Sequence, residues 1–374
     1  MKAGKTQYYS WKIGNLPKGC KYCVKGEKTV LFITGLCSKK ETCYYCPISD
    51  LKKDKDVVYA NEWKIENDDN MIKEIKLCDS KGVGITGGDP LVVLERTIHY
   101  IKLLKERFGK DFHIHLYTPL ELVDLDKLKK LSESGLDEIR FHPDINDDTL
   151  WDKILLAKEF RWNIGVEIPV IPNKEKEIKK LIDFIDGKVR FLNLNELEIS
   201  DSNANKLNEL GFYCKDDISY GIKDSEELAL KLLQYCENKN LDIHYCTVRL
   251  KDAIQLANRI KRRARNVKES FDELTKEGTL IRGAIYLKEL KPSFGYRRKL
   301  DEIKNKEEII FKLKEIKNKL NIKDIKIDEQ KLRLLTSLRN LKLLKNKLKE
   351  MDLVAAKVEE FPTHDQFEVE IEFL

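Results

Sequence analysis

The chain of 374 residues lacks any run of about 18 apolar residues, so we expect no transmembrane helix and no membrane partner. It also lacks an apolar signal core, because Met1 to Lys5 leads directly into Tyr8, Tyr9 and Trp11. We therefore expect a cytoplasmic protein, a setting that disfavours a disulfide framework. A large excess of one charge is missing too: 70 Lys and Arg face 64 Asp and Glu. The resulting net charge of +6 does not by itself demand a polyanionic partner.

From residue 29 the chain alternates short β-branched runs with amphipathic helical patterns, which is typical of parallel βαβ units. Six or seven such repeats, fewer than eight, predict an α/β fold built on a partial (βα)6-type barrel rather than a complete TIM barrel. Chemistry in such barrels lies at the carboxyl ends of the strands. The predicted strands are 29–36, 83–86, 112–117, 138–141, 163–170, 189–195 and 241–247. The predicted helices are 68–79, 91–108, 122–134, 147–160, 174–186 and 226–238.

The composition divides the chain into three predicted parts. Residues 1–28 form an N-terminal segment with a Cys-x2-Cys pair, and residues 29–250 form the barrel. Residues 251–374 begin with a basic helix and continue as a smaller α+β domain. Its predicted strands are 279–290, 322–328, 354–361 and 366–373. Its predicted helices are 306–320 and a long one that follows the strand 322–328 and ends at about residue 351.

Nine cysteines are present, and five of them fall between residues 20 and 46, a clustering that indicates metal binding. Cys37, Cys43 and Cys46 lie on the loop after the first barrel strand with the spacing C-x5-C-x2-C. Three thiolates would hold a [4Fe–4S] cluster and leave one iron open to an external chelate. Zinc is the rival, because a Cys-x2-Cys pair is a common zinc-binding element.

This loop resembles the signature of the radical S-adenosylmethionine (SAM) superfamily. In that family three cysteines follow strand one of a partial barrel and an aromatic residue precedes the third, as Tyr45 does here. The commonest family spacing is C-x3-C-x2-C, so the two extra residues argue against the commonest subfamilies. The run from Gly87 through Gly88 and Asp89 to Pro90 resembles the family's Gly-Gly-Glu-Pro motif. Its alternative interpretation is an ordinary turn with proline near a helix start.

The resemblance points to an archaeal group related to pyruvate formate-lyase activating enzymes. It implies a [4Fe–4S] cluster, SAM and an external one-electron donor like ferredoxin or flavodoxin. Reductive cleavage of SAM then gives a 5′-deoxyadenosyl radical that abstracts hydrogen from a substrate. The resemblance also implies a set of SAM-binding residues: Tyr45, Gly87, Gly88, Asp89, Pro90, Arg140 and Glu167. Arg140 and Glu167 have a rival interpretation as a charge pair inside the barrel, and His113 and His115 either line the interior or pack in the core.

A second metal site is predicted from Cys20, Cys23 and Cys246. The first two form a Cys-x2-Cys pair before the first strand, and Cys246 ends the last barrel strand. We expect an auxiliary iron–sulfur cluster there, with His244 as an alternative fourth ligand. Zinc and the absence of a metal remain the alternatives.

The substrate prediction depends on two basic stretches. Arg262, Arg263 and Arg265 lie on one helical run, and a second stretch, 296–299, joins a tyrosine to three cations. Together they favour RNA, tRNA first, as the macromolecule that is modified. The alternatives are a solvated cationic face, radical modification or glycyl-radical activation of a protein or peptide, and modification of a small metabolite. A non-catalytic metal-binding module on nucleic acid is the alternative outside the enzymes.

Overall fold

The structure is a computed structural model that describes residues 1–38 and 43–374. It contains two compact units, Met1–Arg259 and Ile260–Leu374. The strands of the first unit are β1 Gly4–Lys5, β2 Trp11–Ile13, β3 Lys28–Phe32, β4 Tyr59–Ala60, β5 Trp63–Lys64, β6 Gly82–Thr86, β7 His113–Thr118, β8 Glu138–Phe141, β9 Asn163–Val170, β10 Phe191–Glu196 and β11 Asp242–Cys246. Its helices are α1 Lys18–Val24, α2 Asp68–Leu77, α3 Leu94–Phe108, α4 Leu125–Glu133, α5 Glu175–Ile185, α6 Ala204–Glu209, α7 Ser225–Tyr235 and α8 Val248–Leu250.

Seven strands of the first unit, β3 and β6 to β11, pair in parallel and in chain order. The outer strands of this sheet pair with other strands in antiparallel fashion, β4 with β3 and β2 with β11. The sheet is therefore open between its two ends. The predicted α/β fold with a partial barrel is confirmed.

The helices follow from their local sequences. Asn67 and Asp124 cap α2 and α4, each accepting a hydrogen bond from a backbone amide three residues later. Apolar residues at helical spacing then bury one face of each helix; in α5 this face carries Ile178, Leu181 and Ile182. The predicted helix 147–160 differs, because a 3-10 helix at Trp151–Glu159 takes its place.

Side chains alternate along the parallel strands. Leu31, Ile85 and Leu116 are completely buried on the side facing the outer helices. The opposite side carries polar residues such as His115 and Arg140, which are also buried. The inner surface of the curled sheet is thus polar and enclosed, which is where a barrel enzyme places its chemistry.

The second unit is a mixed α+β structure around a separate core. Its sheet has the order β14-β15-β13-β16-β17, with β12 paired to β13, and all its pairings are antiparallel. Its strands are β12 Glu273–Leu274, β13 Leu280–Leu287, β14 Ile325–Asp328, β15 Arg333–Thr336, β16 Leu353–Glu360 and β17 Glu368–Phe373. Helix α9, Ala257–Val267, runs across the boundary, and the later helices are α10 Tyr296–Glu302, α11 Lys306–Leu320 and α12 Leu338–Glu350.

Strand β15 lies inside the stretch predicted to be one long helix. Ser337 caps α12 by accepting a hydrogen bond from the amide of Asn340, so the helix begins only after this point. Within the described ranges 1–38 and 43–374, none of the helices is long and apolar enough to span a bilayer.

Candidate active site

A cavity of about 580 Å³ lies at the carboxyl edge of the parallel sheet. It is lined by residues from the first barrel strand and its following loop, and from five later strands or their loops. Val30 lines it and is 48% exposed, so the cavity opens to solvent beside β3. The predicted site residues that line it are Cys23, Cys37, Cys43, Tyr45, Cys46, Gly87, Gly88, His115 and Glu167.

Cys37, Cys43 and Cys46 all face this cavity, although they begin and end a loop whose residues 39–42 lie outside the described chain. Cys37 is exposed, whereas Cys43 and Cys46 are half-buried. The amide of Cys46 donates to the carbonyl of Cys43 in a tight turn. Three thiols on one cavity wall are the donor set that an iron–sulfur cluster takes, so these residues fit the [4Fe–4S] group.

Gly87 and Gly88 have a packing role that the sequence did not reveal. The amide of Gly88 donates to the carbonyl of Thr34, and that of Asp89 to the carbonyl of Leu36, both at 2.8 Å. A Cβ on Gly88 would collide with the carbonyl of Leu36, and one on Gly87, at φ 142°, with that of Thr34. The glycines therefore seat the base of the cysteine loop against β6.

Asp89 and Pro90 lie beneath this contact rather than on the cavity surface. Asp89 is completely buried and accepts hydrogen bonds from the amide of Leu91 and the hydroxyl of Thr118, both at 2.9 Å. Burial raises the pKa of Asp89. The carbonyl of Pro90 accepts from Thr97 on α3. In the described structure both residues hold the turn between β6 and α3, and neither is among the residues that line the cavity.

Tyr45 connects the cysteine loop to the far wall of the cavity. Its hydroxyl lies 3.0 Å from Nε2 of His142, whose Nδ1 lies 2.8 Å from the backbone carbonyl of Glu167. Because Nδ1 must donate to that carbonyl, Nε2 of His142 is the atom that accepts the hydrogen bond from the Tyr45 hydroxyl. His142 follows β8 directly and lines the cavity, but the sequence reasoning overlooked it. The signal in the sequence that could have identified His142 as a site residue is its position two residues after Arg140.

Arg140 and Glu167 form the charge pair that was the rival interpretation, at 2.9 Å. Arg140 is almost fully buried and also donates to Glu138 and to the hydroxyl of Tyr117. Burial alone would raise the pKa of Glu167. The Arg140 guanidinium and hydrogen bonds from Asn193 and Asn195 outweigh it, so that pKa lies below its ordinary value. Glu167 still lines the cavity, whereas Arg140 fixes it from within the barrel.

His113 and His115 both point into the barrel, deeper than the cysteine loop. Lys28 donates to Nδ1 of His113 at 2.8 Å and to two backbone carbonyls. Burial, together with the Lys28 cation, lowers the pKa of His113 to about 2. Burial also lowers the pKa of Lys28 to about 7. His115 lines the cavity, and its Nε2 lies 3.1 Å from the hydroxyl of Tyr117.

Cys20 and Cys23 lie on α1, a short helix that enters the barrel interior. The Cys20 thiol accepts from Arg140 at 3.5 Å and from Asn193 at 3.4 Å, and burial raises its pKa to about 12. Cys246 is buried beside Val24 and Leu250. The helix therefore reaches the inner side of the sheet, as the predicted second site requires.

In the described ranges, which omit residues 39–42, no three or more His, Cys, Asp or Glu side chains are gathered tightly enough to hold a metal ion. This holds for Cys20, Cys23 and Cys246, whereas Cys37, Cys43 and Cys46 fit a cluster by their number and chemistry rather than by close approach. The second metal site thus stays a prediction.

The basic stretches of the second unit are engaged within that unit. Arg263 is 3% exposed and donates to the carbonyl of Pro362. Arg297 pairs with Glu368 at 2.8 Å and lies over the ring of Phe367. Arg265 is exposed. Two of the cations on which the RNA prediction depended are therefore bound to their own unit.

The comparisons with known proteins agree with this arrangement. A family model described as the radical SAM superfamily matches residues 31–185. A protein of Methanocaldococcus jannaschii with the provisional name glycyl-radical enzyme activating enzyme is 48% identical over 286 residues, which cover 74% of this chain and 75% of the relative.

Two solved structures show weaker similarity. Methylornithine synthase matches with a TM-score of 0.38 and 14% identity over 56% of this chain and 62% of its own. A radical SAM methyltransferase of Kitasatospora setae with tryptophan and a SAM analogue matches with a TM-score of 0.37 and 9% identity, over 70% of this chain and 57% of its own. The chain spans less than two thirds of either structure.

Sequence, fold and cavity lead to one conclusion. Three cysteines follow the first strand of a partial barrel, and the family model covers that segment together with the glycine turn. The chain belongs to the radical SAM superfamily and is an enzyme that uses a [4Fe–4S] cluster and SAM.

Proposed function

We propose that this enzyme activates a partner protein by abstracting a hydrogen atom from one of its glycine residues. The cavity with three cysteines, open to solvent beside β3, is the observation that carries the proposal. A glycine in a polypeptide loop needs such an opening to reach the interior. The provisional name of the Methanocaldococcus jannaschii relative supports the same substrate class. The tRNA prediction finds no such support, and the protein alternative fits better.

In this proposal Cys37, Cys43 and Cys46 hold the cluster, and Gly87 and Gly88 seat their loop. When bound there, the cluster and SAM would supply the one-electron chemistry that removes a hydrogen atom from glycine, with 5′-deoxyadenosine, methionine and a glycyl radical as the products. The electron comes from an external one-electron donor. The protein's own contribution is placement and exclusion of water.

The remaining cavity residues position the reactants. Glu167 is held ionised by Arg140 and is fixed by two asparagine amides, so it presents a carboxylate that can accept hydrogen bonds from hydroxyl groups of a nucleoside. Tyr45 is held in place through His142. Because Glu167 and Tyr45 are both tied to the same histidine, the two walls of the cavity are aligned with each other.

The test follows the hydrogen atom. Extract from the source organism grown on α-deuterated glycine is separated into protein and RNA fractions, and each is incubated anaerobically with the reconstituted enzyme, SAM and dithionite. We expect deuterium in 5′-deoxyadenosine with the protein fraction and none with the RNA fraction. Label from RNA alone, or from neither fraction while 5′-deoxyadenosine still forms, would contradict the proposal.

A further inference from the structure

A small hairpin projects from the carboxyl edge of the sheet between β10 and α7. Its two arms are joined by backbone hydrogen bonds from Lys215 to Gly221 and from Lys223 to Tyr213, both at 2.9 Å. The amide of Ile199 donates to the carbonyl of Tyr220 at 2.8 Å, which joins the hairpin to the segment that follows β10. We refer to residues 213–223 as the rim hairpin.

The base of the rim hairpin is fixed beside the cavity. Lys215 pairs with the completely buried carboxylate of Glu196 at 2.7 Å. Gly221 passes so close to Glu196 that a Cβ there would collide with it. Glu196 and Glu198 both line the cavity, and Glu198 forms a β-bridge with Gly221. The hairpin is therefore continuous with the cavity wall.

The segment between β10 and the rim hairpin also contacts the cysteine loop. The side-chain amide of Asn203 donates to the backbone carbonyl of Tyr45 at 3.1 Å, one residue before Cys46. The segment that joins β10 to the rim hairpin is thus attached to the cavity wall that carries the cysteine loop.

The tip of the rim hairpin exposes large apolar side chains. At the tip Ile218 is 96% exposed and Tyr220 62%, and Tyr213 on the first arm is 61% exposed. Soluble proteins seldom place such side chains together on the surface, and where they do the patch commonly marks an interaction site. The exposed side chains of the tip do not contribute to the core. Because the base of the hairpin is anchored, these side chains are held in a fixed place.

Charge decides which class of macromolecule fits. Asp216 and Asp217 are both exposed and directly precede Ile218. Two carboxylates beside the apolar tip repel a phosphate backbone, whereas they attract lysine or arginine side chains. Lys215 and Lys223 lie on the arms of the hairpin, so the acidic character belongs to its tip, which fits a polypeptide with basic residues next to apolar ones better than it fits RNA.

We propose that the rim hairpin is the docking element for the polypeptide substrate and receives an apolar segment flanked by basic residues. This inference rests on the proposed function. Docking there would hold the partner's glycine loop over the cavity mouth, with Ile218 and Tyr220 as the apolar contacts and Asp216 and Asp217 as the charged ones.

The test uses the full-length reconstituted enzyme with two tip variants. In one, Ile218 and Tyr220 are both changed to serine; in the other, Asp216 and Asp217 are both changed to lysine. The matched control is Phe311→Ser, an equally exposed apolar side chain (63%) on α11 of the second unit. Iron content and 5′-deoxyadenosine formation without substrate are measured first, since neither should change by more than twofold.

Deuterium transfer from the α-deuterated glycine protein fraction is then compared. We expect both tip variants to lose at least tenfold in the transfer rate and the control to match the parent. Tip variants that transfer deuterium like the parent would overturn the docking role and leave the proposed function intact. A parent that transfers no deuterium from protein would instead overturn the proposed function, and the docking role with it. The lysine variant leaves the apolar side chains of the tip in place, so it decides the matter if the serine variant loses iron.

Discussion

Gly88 shows how a single missing side chain shapes the site. A glycine can let the backbone approach a ligand closely, yet the nearest obstacle to a Cβ at Gly88 is the backbone carbonyl of Leu36. Backbone cannot move aside as the end of a flexible side chain can. The residue thus acts on the cofactor through the loop that carries Cys37.

Gly88→Ala should displace the cysteine loop, because the new methyl group and the carbonyl of Leu36 would occupy the same space. We expect the variant to bind less than half of the parent's iron after anaerobic reconstitution. Val92→Ala, a change at a partly exposed position after the same turn, is the control. Full iron content in the glycine variant would show that the loop does not depend on this contact.

His113 illustrates how burial changes a titrating residue. Its pKa is lowered to about 2, so it stays neutral in the folded protein while the unfolded chain protonates near pH 6.5. Between these values the unfolded state binds the extra proton, and the free energy of unfolding therefore falls as the pH falls.

We predict that His113→Gln removes part of this acid sensitivity while keeping an acceptor for Lys28. From pH 7 to pH 5 the parent should lose about 2 kcal/mol more unfolding free energy than the variant. Urea titration followed by tryptophan fluorescence measures this, because all four tryptophans lie in the first unit. Equal losses in the two proteins would mean that the fold does not lower the pKa of His113, and a smaller loss in the parent would mean that His113 is protonated in the fold.

At the scale of elements, α1 is the feature that most changes the interior of the barrel. Its Gly19 faces a crowd of polar atoms: a Cβ there would lie 2.7 Å from Nδ1 of His115 and 2.9 Å from Oε1 of Glu138, and closer still to Arg140. Arg140 cannot yield, since it is held by two carboxylates. The helix also ends against Asn258, which donates to the carbonyl of Val24 at 2.7 Å.

Two effects of Gly19→Ala have opposite signs, which makes the substitution informative. Helix propensity alone predicts a gain of about 0.5–1 kcal/mol in unfolding free energy. Overpacking against fixed polar groups predicts a loss of about 1–3 kcal/mol. We expect a net loss of about 1–2 kcal/mol by urea titration. Gly4→Ala, where the new methyl group meets nothing within 4 Å, should change little. A net gain for the Gly19 variant would place α1 outside the interior.

The repeating strands and helices could be predicted from the sequence because their patterns are long and regular. Strands 138–141 and 163–170 and helix 306–320 have the predicted bounds. Helix α1 could not be predicted this way. Its seven residues bury only Gly19, Cys20 and Val24, so its stability comes from packing in the barrel rather than from an apolar stripe.

The candidate site divides in the same way. The cysteine loop and the glycine turn could be recognised from short motifs, and the structure lines one cavity with both. The buried polar network around Arg140 could not be recognised from the sequence. An arginine in a sequence resembles a surface residue unless the position of its acidic partners is known. His142 and the rim hairpin lie between strands, where sequence patterns carry little information.

At the scale of the whole molecule, the two units have separate cores and different uses of charge. The first gathers charged groups around the candidate active site, whereas the second buries several of them as a cluster beside its core. Arg333 is completely buried and donates to Asp328 at 2.9 Å and to Glu360 at 2.6 Å. Arg282 also donates to Glu360, at 3.1 Å. This buried cluster places several of the second unit's charged side chains in its interior rather than on its surface.

Replacing Arg333 with methionine tests whether this cluster holds the second unit together. The substitution leaves the carboxylates of Asp328 and Glu360 buried beside a neutral side chain, and breaking a buried pair in this way costs about 3–5 kcal/mol. Lys288→Met is the control, since its pair with Asp352 is more than two thirds exposed on both sides and should be worth about 0–1 kcal/mol. Hydrogen exchange of the β13 and β16 peptides measures both. Protection that stays at the parent's level in the Arg333 variant would mean that Arg282 and Lys331 alone neutralise Glu360, and that the cluster tolerates the loss of its central cation.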